Sequence, residues 1–141
     1  MPASLKFILL LLGAGVLLAI GAGTILHRQT EGRARIVAEE LTHGDSANGK
    51  RLISYYGCSS CHEITGVPAA RGAVGPSLSG IGSRALIAGR LANEPNNMFR
   101  WVRAPQEIAP GTAMPDTPMS DRDARDIAAY LYTLQQSVPD K

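Results

Sequence analysis

Hydrophobic and polar residues divide this chain into one long apolar block followed by short amphipathic ones. Residues 7–26 read FILLLLGAGVLLAIGAGTIL, 20 residues without a charge. At 1.5 Å per residue such a run spans about 30 Å, the hydrocarbon thickness of a bilayer. The run is therefore predicted to be a transmembrane helix. Lys6 ahead of it keeps a cleaved signal peptide open as the competing reading, with Ala19/Gly21 or Gly21/Gly23 as cleavage pairs. The run exceeds an ordinary signal-peptide core, which favours an uncleaved signal anchor. Residues 1–6 would then be a cytoplasmic n-region and 27–44 a polar linker with a short helical piece over 33–41. Residues 45–141 would be a folded domain.

Within that domain three blocks have helical spacing. Leu52, Ile53 and Tyr56 predict a helix over about 47–56, capped by Asp45 or Ser46 and stopped by Gly57. Met98, Phe99, Trp101 and Val102 give residues 93–103 an apolar side, with Asn96 as a candidate cap and Pro105 as the stop. Ala124, Ile127, Ala128, Leu131 and Leu134 form the clearest stripe, opened by a Ser120–Asp123 capping box. Residues 66–82 and 109–118, rich in Gly and Pro, read as loops, and 83–89 as irregular. No alternating run argues for strands, so the expected class is all-α.

The formal charge is +2. Without Lys6 the remainder carries +1. Such a balance implies neither a nucleic-acid partner nor a strong steering field. Arg28, Arg33 and Arg35 follow the apolar run, so charge bias alone does not predict an exported C-terminus. Gly15, Ala19 and Gly23 repeat at four-residue spacing, a pattern that lets membrane helices approach closely.

The chemistry lies in Cys58-Ser59-Ser60-Cys61-His62, the C-x-x-C-H signature of covalent haem attachment. Thiols three residues apart share one face of a helical turn and reach the two haem vinyl groups. The histidine that follows can ligate the iron. A thioredoxin-like pair would want a βαβ context, and a zinc site further ligands. His27 and His43 have no ligand-like spacing, and no other cysteine exists for a disulfide. Haem c is attached on the outer side of bacterial energy-transducing membranes. The motif therefore places the domain on the periplasmic side of the inner membrane, on a single-pass anchor.

The second axial position is left to three downstream methionines or to none. Met98 lies on a helix's apolar side, where core packing explains it. Met119 precedes the Ser120 cap, as a hydrophobic staple does. Met114 follows Pro110-Gly111-Thr112-Ala113, small residues that allow close approach to a flat ring, and Pro115 keeps the segment out of helix. Met114 is the candidate ligand. A thioether favours ferrous iron and raises the reduction potential. An open sixth site would instead bind oxygen, peroxide or nitric oxide.

From Gly44 to about Leu134 the chain resembles class I c-type cytochromes. The landmarks are Gly49, the haem motif, Gly75-Pro76-Ser77-Leu78, Met114-Pro115 and Asp126-Ile127-Ala128-Ala129-Tyr130-Leu131. The run GPSLSGIGSR…NEPNNMFRWVRAPQEIAPGTAMP is similar to the cytochrome c domain fused to subunit II of caa3-type oxidases, without that subunit's copper-binding domain. The resemblance implies a class I cytochrome c fold packed around one covalent haem, preceded by one transmembrane helix. It also implies that the Pro76 carbonyl accepts a hydrogen bond from His62 and that Leu78 packs on the haem. Arg84 and Trp101 would lie near the propionates. Gly49 would let the first helix cross the last, near Ile127 and Tyr130.

The expected function is single-electron transfer from a quinol-oxidising complex (quinol–cytochrome c reductase) to a terminal oxidase, without catalysis of its own. The rival is a haem c subunit of a stable terminal oxidase, nitric oxide reductase or dehydrogenase. A third reading is a five-coordinate, reactive iron. Ser59, Gly111, Thr112 and Ala113 would surround the exposed thioether edge with small, uncharged groups.

Overall fold

The computed structural model describes residues 2–68 and 70–135. Met1 of the expected n-region, Ala69, and residues 136–141 of the expected domain lie outside the described residues. The chain divides into two compact units, one ending at Arg33 and one starting at Ala34.

Helix α1 (Ala3–Thr42) begins in the first unit and is long and apolar enough to cross a membrane. Its side chains are uncovered: Leu10 is 72% and Leu18 75% exposed. Where the pattern predicts a polar linker with helix only over 33–41, α1 runs unbroken to Thr42. Residues 27–42 contain no proline and many good helix formers. Pairs at i,i+4 spacing add to this, His27–Glu31 at 3.2 Å and Arg35–Glu39 at 2.9 Å. The helix stops at His43, whose φ of 54° is left-handed.

The second unit thus opens 11 residues before the expected boundary at Asp45, with the last turns of α1. Ala38 and Thr42 are buried there. Glu39 accepts from the Ser46 hydroxyl (2.7 Å) and backbone N–H (3.1 Å), and this bonding holds its carboxyl below the ordinary range. Helix α2 (Ser46–Tyr55) follows, with Asp45 as N-cap accepting from Ala47 and Asn48. Gly57, at φ 73°, turns the chain away after it.

Helix α2 crosses α5 (Asp121–Thr133) at Gly49, where a Cβ would collide with the Asp126 carbonyl. The buried Asp126 side chain ties the crossing from the other side, accepting from Asp45 N–H and Asn48 Nδ2, each at 2.7 Å. Farther along α5, Tyr130 donates its hydroxyl to the Thr65 carbonyl at 2.7 Å.

Between these helices lie a two-residue hairpin, β1 (Leu86–Ile87) and β2 (Leu91–Ala92), and helices α3 (Pro95–Arg103) and α4 (Pro105–Ile108). The hairpin is too short to show alternation, which is why the pattern missed it. Two further details differ from expectation. Helix α3 starts at Pro95 with no side-chain cap, its fixed φ and missing N–H replacing one, so Asn96 lies inside the helix. Pro105 does not merely stop α3 but opens α4. At α5, Ser120 caps Asp123 N–H as expected (3.1 Å), but the Asp123 carboxylate accepts from the Tyr56 hydroxyl (2.7 Å) instead of closing a capping box. Ile53, Ile87, Met98 and Ile127 are fully buried between these elements. Each contributes about 1.5–3 kcal/mol by leaving water.

Candidate haem-binding cleft

The five-residue motif follows α2 directly. Cys58 to Ser60 form a 3-10 turn, and the N–H groups of Cys61 (3.2 Å) and His62 (3.0 Å) both bond the Cys58 carbonyl. This winding puts both thiols on the wall of one apolar cleft of about 770 Å³, within the size range of small-molecule sites. Burial pushes the Cys58 thiol above its ordinary range. A catalytic thiol pair needs the opposite shift, toward thiolate.

His62 is held by its neighbours across the loop. Its Nδ1 lies 2.7 Å from the Pro76 carbonyl. A carbonyl only accepts, so Nδ1 carries the proton and Nε2 keeps a free lone pair. The Cys61 carbonyl accepts from Gly75 N–H (2.8 Å), and the Glu63 carbonyl from Leu78 N–H (2.9 Å). Gly75 is obligatory: a Cβ there would enter the imidazole ring. A Cβ on Gly72 would strike the Cys61 backbone.

Met114 enters from the loop after α4 and lines the same cleft. It is half-buried, whereas Met98 (1% exposed) and Met119 (8%) belong to the core, although both also reach the cleft wall. Leu78, Arg84 and Trp101 line the cleft too, so it collects seven of the sequence-derived site residues. The eighth, Pro76, lines it as well and works through its carbonyl. Arg84 is fixed by donating to the Ser77 (2.6 Å) and Ser79 (2.9 Å) carbonyls.

Sequence reasoning missed three contributors. The hairpin places Leu86, Ile87 and Arg90 on the cleft wall. Its turn runs through Ala88 and Gly89, both at positive φ (51° and 68°), closed by Arg90 N–H on the Ile87 carbonyl at 3.0 Å. An Ala-Gly pair is not a usual signal for that turn. Tyr56 lines the cleft while bonding Asp123, which raises its phenol to about 12. Gln106 holds the Met114 loop, and no sequence signal marks it.

The cleft suits a haem. Its wall is mostly aliphatic, as an apolar macrocycle requires, and the charged side chains on it among the described residues are Arg84 and Arg90, which match two carboxylates. Two thiols, an imidazole nitrogen and a thioether face one space.

Comparison with known proteins bears on the Cys58–Cys61 pair and its cofactor. The chain is 35% identical over 98 residues to cytochrome c oxidase subunit 2 of Alkalihalophilus pseudofirmus, covering 69% of this chain and 28% of that protein. It is 36% identical over 107 residues to cytochrome c2 of Rhodopila globiformis, covering 65% of this chain and 95% of that one. A third relative, cytochrome c oxidase subunit 2 of Bacillus sp. strain PS3, is 31% identical over 83 residues, 55% of this chain and 23% of that subunit. The chain therefore spans only about a quarter of each oxidase subunit's length. The family model described as Cytochrome c matches residues 46–135. That span runs from the first residue of α2, through both cysteines and His62, to beyond α5, and the chain belongs to the cytochrome c family, whose members hold haem c covalently and transfer electrons.

Proposed function

We propose that this chain is a membrane-anchored electron carrier holding one haem c in an all-α class I domain. It would take single electrons from a quinol-oxidising complex and pass them to a terminal oxidase. The observation that carries this reading is the pairing of an oriented His62 with Met114 across one apolar cleft that also holds both thiols.

Haem c supplies a one-electron iron couple. Cys58 and Cys61 hold it through thioethers. His62 keeps Nδ1–H on the Pro76 carbonyl and would offer Nε2 to the iron, and Met114 would offer its sulfur as the second ligand. With His62 and Met114 both as ligands, the centre would pass electrons and would not bind oxygen or peroxide. Leu78 would pack on the ring, and Arg84 and Trp101 would lie near the propionates. Val74 (79% exposed), Gly111 and Ala113 lie exposed at the mouth, with Ser59 beside the thioethers. A mouth so poor in charge predicts modest salt dependence of partner rates.

Helix α1 is the anchor in this reading, with the haem domain on the periplasmic face. The Gly15, Ala19, Gly23 stripe is open along α1 and would suit a second membrane helix. Resemblance to two oxidase subunits favours a second reading, a haem c subunit within a stable membrane oxidoreductase. Purification in mild detergent separates the two. The carrier reading expects one haem per chain, no stoichiometric partner, reduction by a quinol-oxidising complex and oxidation by a terminal oxidase. A haem–copper or dehydrogenase subunit retained one-to-one would install the second reading. Rapid carbon monoxide binding by the reduced protein, without a far-red sulfur-to-iron band in the oxidised one, would overturn Met114 ligation.

A further inference from the structure

The two axial residues are held very differently, and the difference centres on one amide. The Gln106 side chain reaches into the 111–114 segment with all of its hydrogen-bonding capacity directed at backbone. Its Nε2 donates to the Thr112 carbonyl (2.7 Å) and the Met114 carbonyl (2.7 Å), and its Oε1 accepts from Gly111 N–H (3.0 Å). The amide orientation is dictated by its partners: two carbonyls need donors and one N–H needs an acceptor. Its own backbone N–H donates to Asp116 Oδ1 at 2.9 Å, so residues on both flanks of Met114 converge on Gln106. The segment has little else. Thr112 N–H bonds the Ala109 carbonyl (3.0 Å) and Thr117 N–H the Arg103 carbonyl (3.1 Å), and Gly111 sits at a left-handed φ of 83°. No core side chain stands in this stretch: Gly111 and Ala113 are exposed, and Met114 is half-buried.

Gln106 itself is well seated. It is the second residue of α4, after the buried Pro105, whose carbonyl accepts from Ala109 N–H at 2.8 Å. The half-buried side chain is thus presented from a fixed backbone toward residues 111–114, which carry no buried apolar side chain of their own.

We propose that Gln106 is the positioning residue for the sixth iron ligand: its amide clamps residues 111–114 and sets how often Met114 leaves the iron to an outside ligand. The proposal rests on the reading of Met114 as that ligand. A loop held by a clamp has an open state of low population, and apparent affinity for an outside ligand scales with that population. Weakening the clamp therefore tightens outside-ligand binding without touching the iron or the thioethers.

The test uses the haem-loaded, full-length protein in detergent, with imidazole as the probe. Oxidised wild type, Gln106→Leu and Gln106→Glu are titrated while the far-red sulfur-to-iron band is followed. Asn97→Ala, which removes another amide-to-backbone bond (Asn97 Nδ2 to the Ala92 carbonyl, 3.1 Å) outside the loop, is the control. Gln106→Glu keeps the acceptor for Gly111 N–H but loses both donors, so it separates clamping from bulk. Both Gln106 variants are expected to bind imidazole about tenfold more tightly than wild type, with Asn97→Ala unchanged. Unchanged imidazole affinity in the Gln106 variants, with the far-red band intact, overturns the proposal even if thermal stability falls. An equal gain in Asn97→Ala overturns it as well, since the effect would then be general loosening. If Gln106→Leu fails to assemble, Gln106→Glu decides alone. Failure of the Met114 reading looks different: wild type itself would lack the far-red band, or Met114→Ala would keep it.

Discussion

The two walls of the cleft hold their candidate donor atoms, His62 Nε2 and the Met114 sulfur, by opposite means. On the His62 side everything is near in sequence. The cysteines, the histidine and the Gly75-Pro76 turn that orients it all lie within 19 residues, and the restraints are backbone bonds and glycine contacts. On the Met114 side residues 111–116, which carry no buried apolar side chain, are held by a glutamine amide, an aspartate and a backbone bond at Thr112. The first wall is fixed at Gly72 and Gly75, where an added Cβ collides with the Cys61 backbone or the His62 ring. The second has a preferred arrangement set by a few hydrogen bonds, each worth only about 0.5–1.5 kcal/mol net. The contrast teaches that the same cleft can be rigid on one side and exchangeable on the other.

The comparison breaks most completely at the thiols. Replacing both Cys58 and Cys61 by alanine should abolish covalent attachment, so that no haem stain follows the protein through a denaturing gel. Met114→Ala should leave that stain intact. It should remove the far-red band, let the reduced form bind carbon monoxide, and lower the one-electron equilibrium at least tenfold, about 59 mV or more in potential. If Met114→Ala lost the haem instead, the two walls would not be independent.

Glycines sharpen the contrast. Gly75→Ala forces a methyl into the imidazole and should cost about 1–3 kcal/mol in unfolding free energy while perturbing histidine ligation. Gly111→Ala meets nothing within 4 Å but must hold φ near 83°. It should cost roughly 1–2 kcal/mol and leave the histidine signals unchanged. Equal spectroscopic effects from both would erase the distinction between a wall limited by packing and one limited by backbone.

The smallest effect concerns alkaline stability on the motif side. The hydrogen bond to Asp123 raises Tyr56 from its ordinary 10 to about 12. The folded state therefore holds this phenol's proton more tightly than the unfolded one. Its contribution is fully present below pH 10 and is lost as pH rises toward 12. Denaturant unfolding of Tyr56→Phe across that window should show a shallower decline than wild type. An identical pH slope would remove Tyr56 as a source of alkaline sensitivity. Tyr132, also raised to about 12, chiefly by burial, should account for part of the remaining slope.

How much was legible before the fold followed the same division. The CSSCH turn, the Gly75-Pro76 landmark and the α5 stripe are local patterns, and their elements stand close to where periodicity and capping put them. The Asp45 and Ser120 caps are of this kind. The helical piece expected over 33–41 is too short, because i,i+4 pairs and the absence of proline carry helix through 27–42. The Asp123 capping box was half right, because a tertiary partner, Tyr56, took the carboxylate.

The sequence by itself determined the cofactor chemistry, the apolar anchor segment and the identity of the candidate ligands, because these depend on residue type and on spacing within a few turns. Only the tertiary structure decided how those ligands are held. Gln106 reaches the 111–114 backbone and Glu39 braces Ser46 across short loops with no usual signal, the hairpin turn puts Arg90 on the wall as a second cation, and Tyr56 ties to α5 through a residue distant in sequence. An amide or a guanidinium has no intrinsic role. It acquires one from the unpaired backbone or charge that folding places beside it.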